Sequence, residues 1–225
     1  WMVMSLKPVK KSDAKKSWLS KRVRNTRKIQ PEHHLIATEG ICTEPAYFQA
    51  IKNVINSKYR NKIQLEILGV GRNTISLLNR AKRYVENNCN VFKHVWIIYD
   101  IDDFPEENVN SVVDLCKSFS NQETTYHAIW SNQCIELWFL LHFAYIQTDI
   151  DRNEYCVKLS NYLLALDNGE YRKNRQDIYD ILQPYMKSAI KHAKKLAKMN
   201  KNKTAYNSRP GTEVYRLVEK LLPYL

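Results

Sequence analysis

The sequence predicts an α/β protein with a mainly parallel four-stranded sheet, flanked by helices on both sides and followed by a helical extension. Three observations predict it. Short apolar runs rich in β-branched and aromatic residues alternate with amphipathic stretches of helical period. The runs are apolar almost throughout, as strands buried on both faces are. Strict alternation of the two kinds of segment favours parallel pairing through crossover helices. A chain of 225 residues, 44% hydrophobic, can bury one good core with a smaller lobe appended. The predicted boundaries are a basic flexible arm over 1–30, the α/β domain over 31–148 and a helical subdomain over 149–225.

The arm, Lys7 to Lys28, holds ten Lys or Arg against one acid, Asp13, and has no sustained apolar period. Such a segment either contacts phosphates or serves as a solvated tail. Leu35, Ile36 and Ala37 form the first strand. Glu39-Gly40 turns the chain, and Thr43-Glu44-Pro45 opens a helix over about Ala46 to Lys58, with Tyr47, Phe48, Ile51, Val54 and Ile55 as its buried stripe. Ile63 to Val70 is the second strand. Gly69-Val70-Gly71-Arg72 suits a plain strand-to-helix turn, or a turn that holds phosphate on Arg72, before a helix reaching Glu86. Val95 to Tyr99 is the central strand, followed by a helix over Val109 to Ser120 and a fourth strand over Thr125 to Trp130. Ser131 to Phe143 is apolar almost all round and reads as a buried helix interrupted by Glu136, with His142 as a packed core histidine. Beyond Asp149 the chain reads as helical over Tyr155 to Leu166, Asp177 to Met199 and Thr212 to Leu222.

Chemistry concentrates at the strand ends. Asp100, Asp102 and Asp103 close the central strand, and two residues two apart on an extended chain leave the same face. Carboxylates that close repel one another, a cost a bound cation removes. The plain alternative is that these acids start a loop or cap the next helix. Glu39 follows strand one and Glu136 strand four, so with Asp100 and Asp102 they should gather on one edge, where ligands of parallel sheets collect. Glu44 serves either that site or the helix N-terminus. Glu136, inside an apolar segment, needs a partner or a metal. Oxygen donors without a matching His or Cys favour Mg²⁺ or Mn²⁺. Hard carboxylates of this kind suit metal-assisted phosphodiester cleavage.

The net charge of +12 and pI near 9.4 point to a polyanionic partner, and charge alone does not separate nucleic acid (DNA or RNA, tRNA included) from an acidic protein or a membrane surface. Lys187, Lys191, Lys194, Lys195 and Lys198 lie in an acid-free amphipathic tract, which is either a solvated face or a bed for a phosphate backbone. Five scattered cysteines without a C-x-x-C pair support neither a disulfide framework nor a structural zinc site. No apolar run of membrane-spanning length and no signal-peptide pattern is visible, so a cytoplasmic protein without a membrane partner is expected.

Three motifs together are also familiar. Glu39-Gly40-x-x-Thr43-Glu44-Pro45-x-Tyr47-Phe48, Tyr99-Asp100-x-Asp102-Asp103-Phe104, and Ser131-Asn132-x-Cys134-x-Glu136-Leu137-Trp138-x-Leu140-Leu141-His142-Phe143 resemble the RloB family of bacterial proteins. Pro210-Gly211-Thr212-Glu213 is similar to that family's closing element. The resemblance implies a Toprim-like fold with Glu39, Asp100 and Asp102 as Mg²⁺ ligands. To these the reading of the residues adds Glu136 as a further catalytic carboxylate, with Glu44 or Asp103, completing or supporting the site or holding a second metal. The resemblance also implies an effector nuclease of an anti-phage defence system, acting with an AAA-type ATPase. The Ser-x-Lys element of OLD-type nucleases is missing after strand four, where Ser131-Asn132-Gln133 stands. The other readings are a non-catalytic nucleic-acid-binding or sensor subunit that regulates the ATPase, and Toprim-type strand transfer or primase chemistry.

Overall fold

The computed structural model describes residues 30–71, 74–101 and 105–225. The basic arm, Arg72, Asp102 and Asp103 lie outside the described residues. Strands β1 (Glu32–Thr38), β2 (Ile63–Gly69), β3 (Phe92–Asp100) and β4 (Thr125–Asn132) alternate with helices α1 (Thr43–Lys58), α2 (Thr74–Glu86) and α3 (Glu106–Phe119). Then come α4 (Glu136–Leu140), α5 (Arg152–Ala165), α6 (Ile178–Leu182), α7 (Met186–Met199), a two-residue strand β5 (Gly211–Thr212) and α8 (Val214–Leu221).

The sheet order is β2-β1-β3-β4-β5, with β1 to β4 mutually parallel and β5 antiparallel to β4. The chain leaves β1 for β2 on one side and then crosses to β3 on the other, so the strand order reverses between β1 and β3. In parallel sheets the crevice at the carboxyl end of such a reversal is where ligands bind. This mostly parallel sheet flanked by helices is consistent with a Toprim-like fold.

Side chains alternate between two cores. Ile36, Trp96, Ile98 and Ile129 face one side, where they are covered by α1 and by α4 to α8. Leu35, Ala37, Val95, Ile97 and Tyr99 face the other, under α2 and α3. Each strand is thus covered twice, which is why its sequence is apolar nearly throughout. The largest fully buried side chains include Trp138, Tyr47, Phe48 and Phe139, all in the first core.

Local pattern and structure part in three places. The helix expected over Ser131 to Phe143 is confined to Glu136–Leu140, because Ser131 and Asn132 extend β4. There Ser131 pairs with Asp100 on one side and Thr212 on the other, and the Ser131 and Thr212 hydroxyls lie 2.8 Å apart. Thr212 is accordingly a strand residue, and the fifth strand is added to the four expected. The helix expected over Asp177 to Met199 is broken into α6 and α7 by a 3-10 turn at Gln183–Tyr185 that contains Pro184, whose ring cannot donate a helical hydrogen bond.

Candidate active site

Glu39 is the first residue beyond β1, and the backbone fixes it on both sides. Its N–H donates to Ile98 O of β3 (3.0 Å), and its carbonyl accepts from Gly71 N (2.9 Å) in the turn after β2. Thr38 closes the same turn, donating its hydroxyl to Gly40 O and accepting Val70 N–H on its carbonyl. Asp100 ends β3 in register with Ser131, and Ile101 N–H continues the ladder to Ser131 O at 2.8 Å. Two acids are thus delivered by adjacent parallel strands at the point where the strand order reverses. One oxygen of each, Oε2 of Glu39 and Oδ1 of Asp100, is sealed from solvent.

Two further carboxylates come from helices. Glu44 stands in the first turn of α1, whose N-cap residue Cys42 contributes no side-chain bond. Its carboxylate accepts backbone N–H bonds from Glu44 itself and Gly40, and it lies so close over Gly40 that a Cβ there would sit 2.1 Å from Oε2. Burial pushes the Glu44 carboxyl above its usual range and the charge of Glu136 adds to this, while the backbone N–H groups and Lys173 pull the other way. Glu136 opens α4, is buried, and accepts the Tyr171 hydroxyl at 2.9 Å. Burial, and then Glu136, hold Tyr171 far above its normal ionisation range. The Cys134 thiol is pushed up in the same way by burial, Glu136 and Asp100.

Glu39, Glu44, Asp100 and Glu136 line one cleft of about 460 Å³, together with Gly40, Lys173 and Asn174. The structure therefore brings together all four sequence-predicted carboxylates that lie among the described residues. Their donors are all oxygen, with one lysine among four acids, a set that fits a hard divalent cation.

A scan against family models matches residues 34–221 to the RloB-like protein family. The chain belongs to that family. Searches of curated proteins and of solved structures found no match. The RloB-like span contains the whole described cleft and closes with β5 and α8, leaving out the basic arm.

The RloB-like chain also carries features that residue patterns missed. Lys173 and Asn174 reach the cleft from the connection between α5 and α6, about 70 positions beyond Asp100 in sequence. That connection is fastened by Tyr171 to Glu136 and by the Thr43 hydroxyl, which donates to Lys173 O. Its only sequence signal is the basic run Tyr171-Arg172-Lys173-Asn174-Arg175, and nothing in the run says what it faces.

The predicted basic helix α7 is amphipathic. Met186, Ala189, Ile190, Ala193 and Leu196 are buried, and Lys187, Lys191, Lys194, Lys195 and Lys198 are exposed. Two of these lysines have internal partners: Lys194 pairs with Glu219, and Lys195 lies 4.1 Å from the Tyr145 ring centroid. His142 is a buried core residue whose Nδ1 contacts Trp138 O at 3.0 Å.

A second polar cluster lies at the opposite, amino edge of the sheet. Glu32, His34 and His94 place their ligand atoms within 4.8 Å of one another, close enough to hold a metal ion. The hydrogen bonds favour another state. Trp96 Nε1 is 3.2 Å from His34 Nδ1 and can only donate, so Nδ1 accepts and the imidazole proton sits on Nε2, 2.8 Å from Glu32 Oε1. A metal on Nε2 would require moving that proton to the nitrogen facing the indole N–H. Lys220 already lies 3.6 Å from the same Glu32 oxygen. His94 and His127 extend the chain through a 2.9 Å contact, with His127 stacked on Trp96. Burial pulls His34 and His127 down to about 4, keeping both neutral at pH 7.

Proposed function

We propose that this RloB-like protein is a metal-dependent nuclease that cleaves phosphodiesters in DNA or RNA with Mg²⁺ or Mn²⁺. The observation that carries the reading is the delivery of Glu39 and Asp100 by adjacent parallel strands to the strand-order reversal, in a cleft with two more carboxylates. Glu39 and Asp100 would hold the ion, joined by Asp102 from the segment beyond β3. Glu44 and Glu136 have internal hydrogen bonds already and act as support: Glu44 braces the Gly40 turn, and Glu136 fastens the Tyr171 connection. A divalent cation bound there would acidify a coordinated water and screen charge growing on phosphorus. Lys173, on the lip of the same cleft, is placed to meet a substrate phosphate. The lysines of α7 and the basic arm add sequence-independent affinity, because an acidic cleft by itself repels a polyanion. The defence role beside an AAA-type ATPase belongs to the same reading and rests on the family resemblance.

The test combines metal titration by calorimetry with cleavage assays on plasmid, single-stranded DNA and tRNA, with and without the ATPase. Asp100→Asn should abolish the calorimetric signal of Mn²⁺. It should also lower cleavage by more than about 100-fold, beyond the 10–100-fold typical of outer partners of a metal site. Metal binding unchanged in Asp100→Asn refutes the assignment. A wild-type chain that binds metal and nucleic acid but cleaves nothing, even with the ATPase, leaves the sensor-subunit reading in its place.

A further inference from the structure

Outside the acidic cleft, the described surface holds a groove of about 810 Å³ between α2 and the outer strand β2. Its lining is unlike that of the cleft. Arg80 and Arg83 supply cations, Asn79, Asn87 and Asn88 supply side-chain amides, and Tyr84 and Leu68 supply an apolar wall. Among the described residues no carboxylate lines it. The Tyr84 hydroxyl donates to Glu66 Oε2 at 2.6 Å, which fixes the ring in the wall. Arg80 and Arg83 are exposed, and neither is held by a carboxylate among the described residues.

The combination selects a class of occupant. Exposed guanidinium groups bind phosphate oxygens through paired N–H bonds. Amide side chains both donate and accept, as the edges of nucleobases do, and a ring with an aliphatic neighbour suits a base face. An acidic peptide would use the cations, but its carboxylate side chains offer no flat face to lie against the Tyr84 ring. The groove also has a suitable length and position. Ser76 to Arg83 covers about 10 Å of helix axis, the rise of about three stacked nucleotides on one strand. Leu68 marks its upper end, next to Gly69, where a Cβ would be 3.4 Å from Gly40 O beside Glu39. Leu68 of the groove is therefore next in sequence to the glycine that packs against the Gly40 turn of the acidic cleft.

We infer that the groove between α2 and β2 is a single-strand nucleic-acid tract, in which Arg80 and Arg83 hold the phosphate backbone and Asn79 and Asn87 face the bases, Asn88 being held by Asn90 N–H. The inference takes its substrate class from the nuclease reading, and its test needs no cleavage. Fluorescence anisotropy in EDTA would follow the full chain binding a labelled oligonucleotide of about 12 nucleotides, within the range of single-strand site sizes. DNA and RNA versions of one sequence separate the two sources of the phosphodiester, since only RNA offers a 2′-hydroxyl.

Arg80→Ala with Arg83→Ala should weaken binding by at least about 10-fold and reduce the salt slope by about 1.4, at about 0.7 per phosphate contact on a single strand. Circular dichroism should stay unchanged, because both side chains are exposed. Asp100→Asn, which removes one negative charge from the cleft, should bind at least as tightly as the wild type in EDTA, so loss of cleavage with binding retained touches the nuclease reading alone. Unchanged affinity and slope in the double arginine variant overturns the inference. So does loss of binding confined to a Lys187, Lys191 and Lys198 triple alanine variant, or a wild-type chain that binds neither oligonucleotide.

Discussion

A methyl group at Gly40 would lie 2.1 Å from Oε2 of Glu44, so the two residues are coupled although four positions separate them. Nothing in the backbone conformation demands glycine there; the constraint is the buried carboxylate above it. Gly40→Ala forces Glu44 off the backbone N–H groups that satisfy it, and a buried acceptor left unsatisfied costs about 1–3 kcal/mol. Gly40→Ala should therefore lower the unfolding free energy by that amount, read as a fall in the urea midpoint at unchanged slope. Combined with Glu44→Ala it should add much less than on its own, since the clash is then gone. Full additivity in the double-mutant cycle would show that Gly40 is there for some other reason.

At the scale of elements, the connection between α5 and α6 closes the site, and two bonds tie it to residues of the cleft. Tyr171 donates to buried Glu136, and Thr43, at the start of α1, donates to the Lys173 carbonyl. Tyr171→Phe keeps the ring packing against Phe139 and removes only the hydroxyl that serves Glu136. Global stability should fall by about 1–3 kcal/mol, and amide exchange over residues 168–176 should accelerate more than exchange in β3. Exchange rates that leave the connection as protected as before would mean that packing, and not the hydrogen bond, secures it. Lys173 reaches the cleft through this same fastening, so a loosened connection should also weaken whatever Lys173 contributes to substrate affinity.

For the molecule as a whole, the histidine chain at the amino edge links folding to pH. His34 and His127 sit near 4 in the folded protein, against about 6.5 when unfolded. Over that interval the unfolded chain binds more protons, so stability rises with pH. The stabilisation is complete above about pH 6.5 and is lost progressively as pH falls toward 4. His94, also pulled down by burial, contributes with the same sign, while Glu32, Lys220 and Arg216 set the local field. Urea unfolding between pH 7 and 4 should show a loss on the order of 1–3 kcal/mol per fully buried imidazole, added to the general acid expansion of a chain with net charge +12. His127→Gln should flatten the curve, because a neutral amide in the stack has no proton to gain. A curve of unchanged slope in that variant would remove His127 from the linkage.

By itself the sequence determined the α/β class, the order of the first four strands and the helices between them, and the gathering of Glu39, Asp100 and Glu136 at one edge. Those features follow from local pattern: doubly covered strands must be apolar, and parallel strands put their carboxyl ends on one side. Sequence pattern could not reach what depends on partners far along the chain. Ser131 and Asn132 read as helix until Gly211 and Thr212 pair with them, 80 positions on. Lys173 entered the cleft only once the connection beyond α5 had folded back onto Thr43 and Glu136. The histidine chain had no signal at all, since Glu32, His34, His94 and His127 sit on three strands whose register alone makes them neighbours. Register and crossover are set by the whole core at once, because each strand's position minimises exposed apolar surface against all its neighbours together. The sequence therefore placed the residues that occupy strand ends, and only the tertiary structure decided which distant side chains meet them.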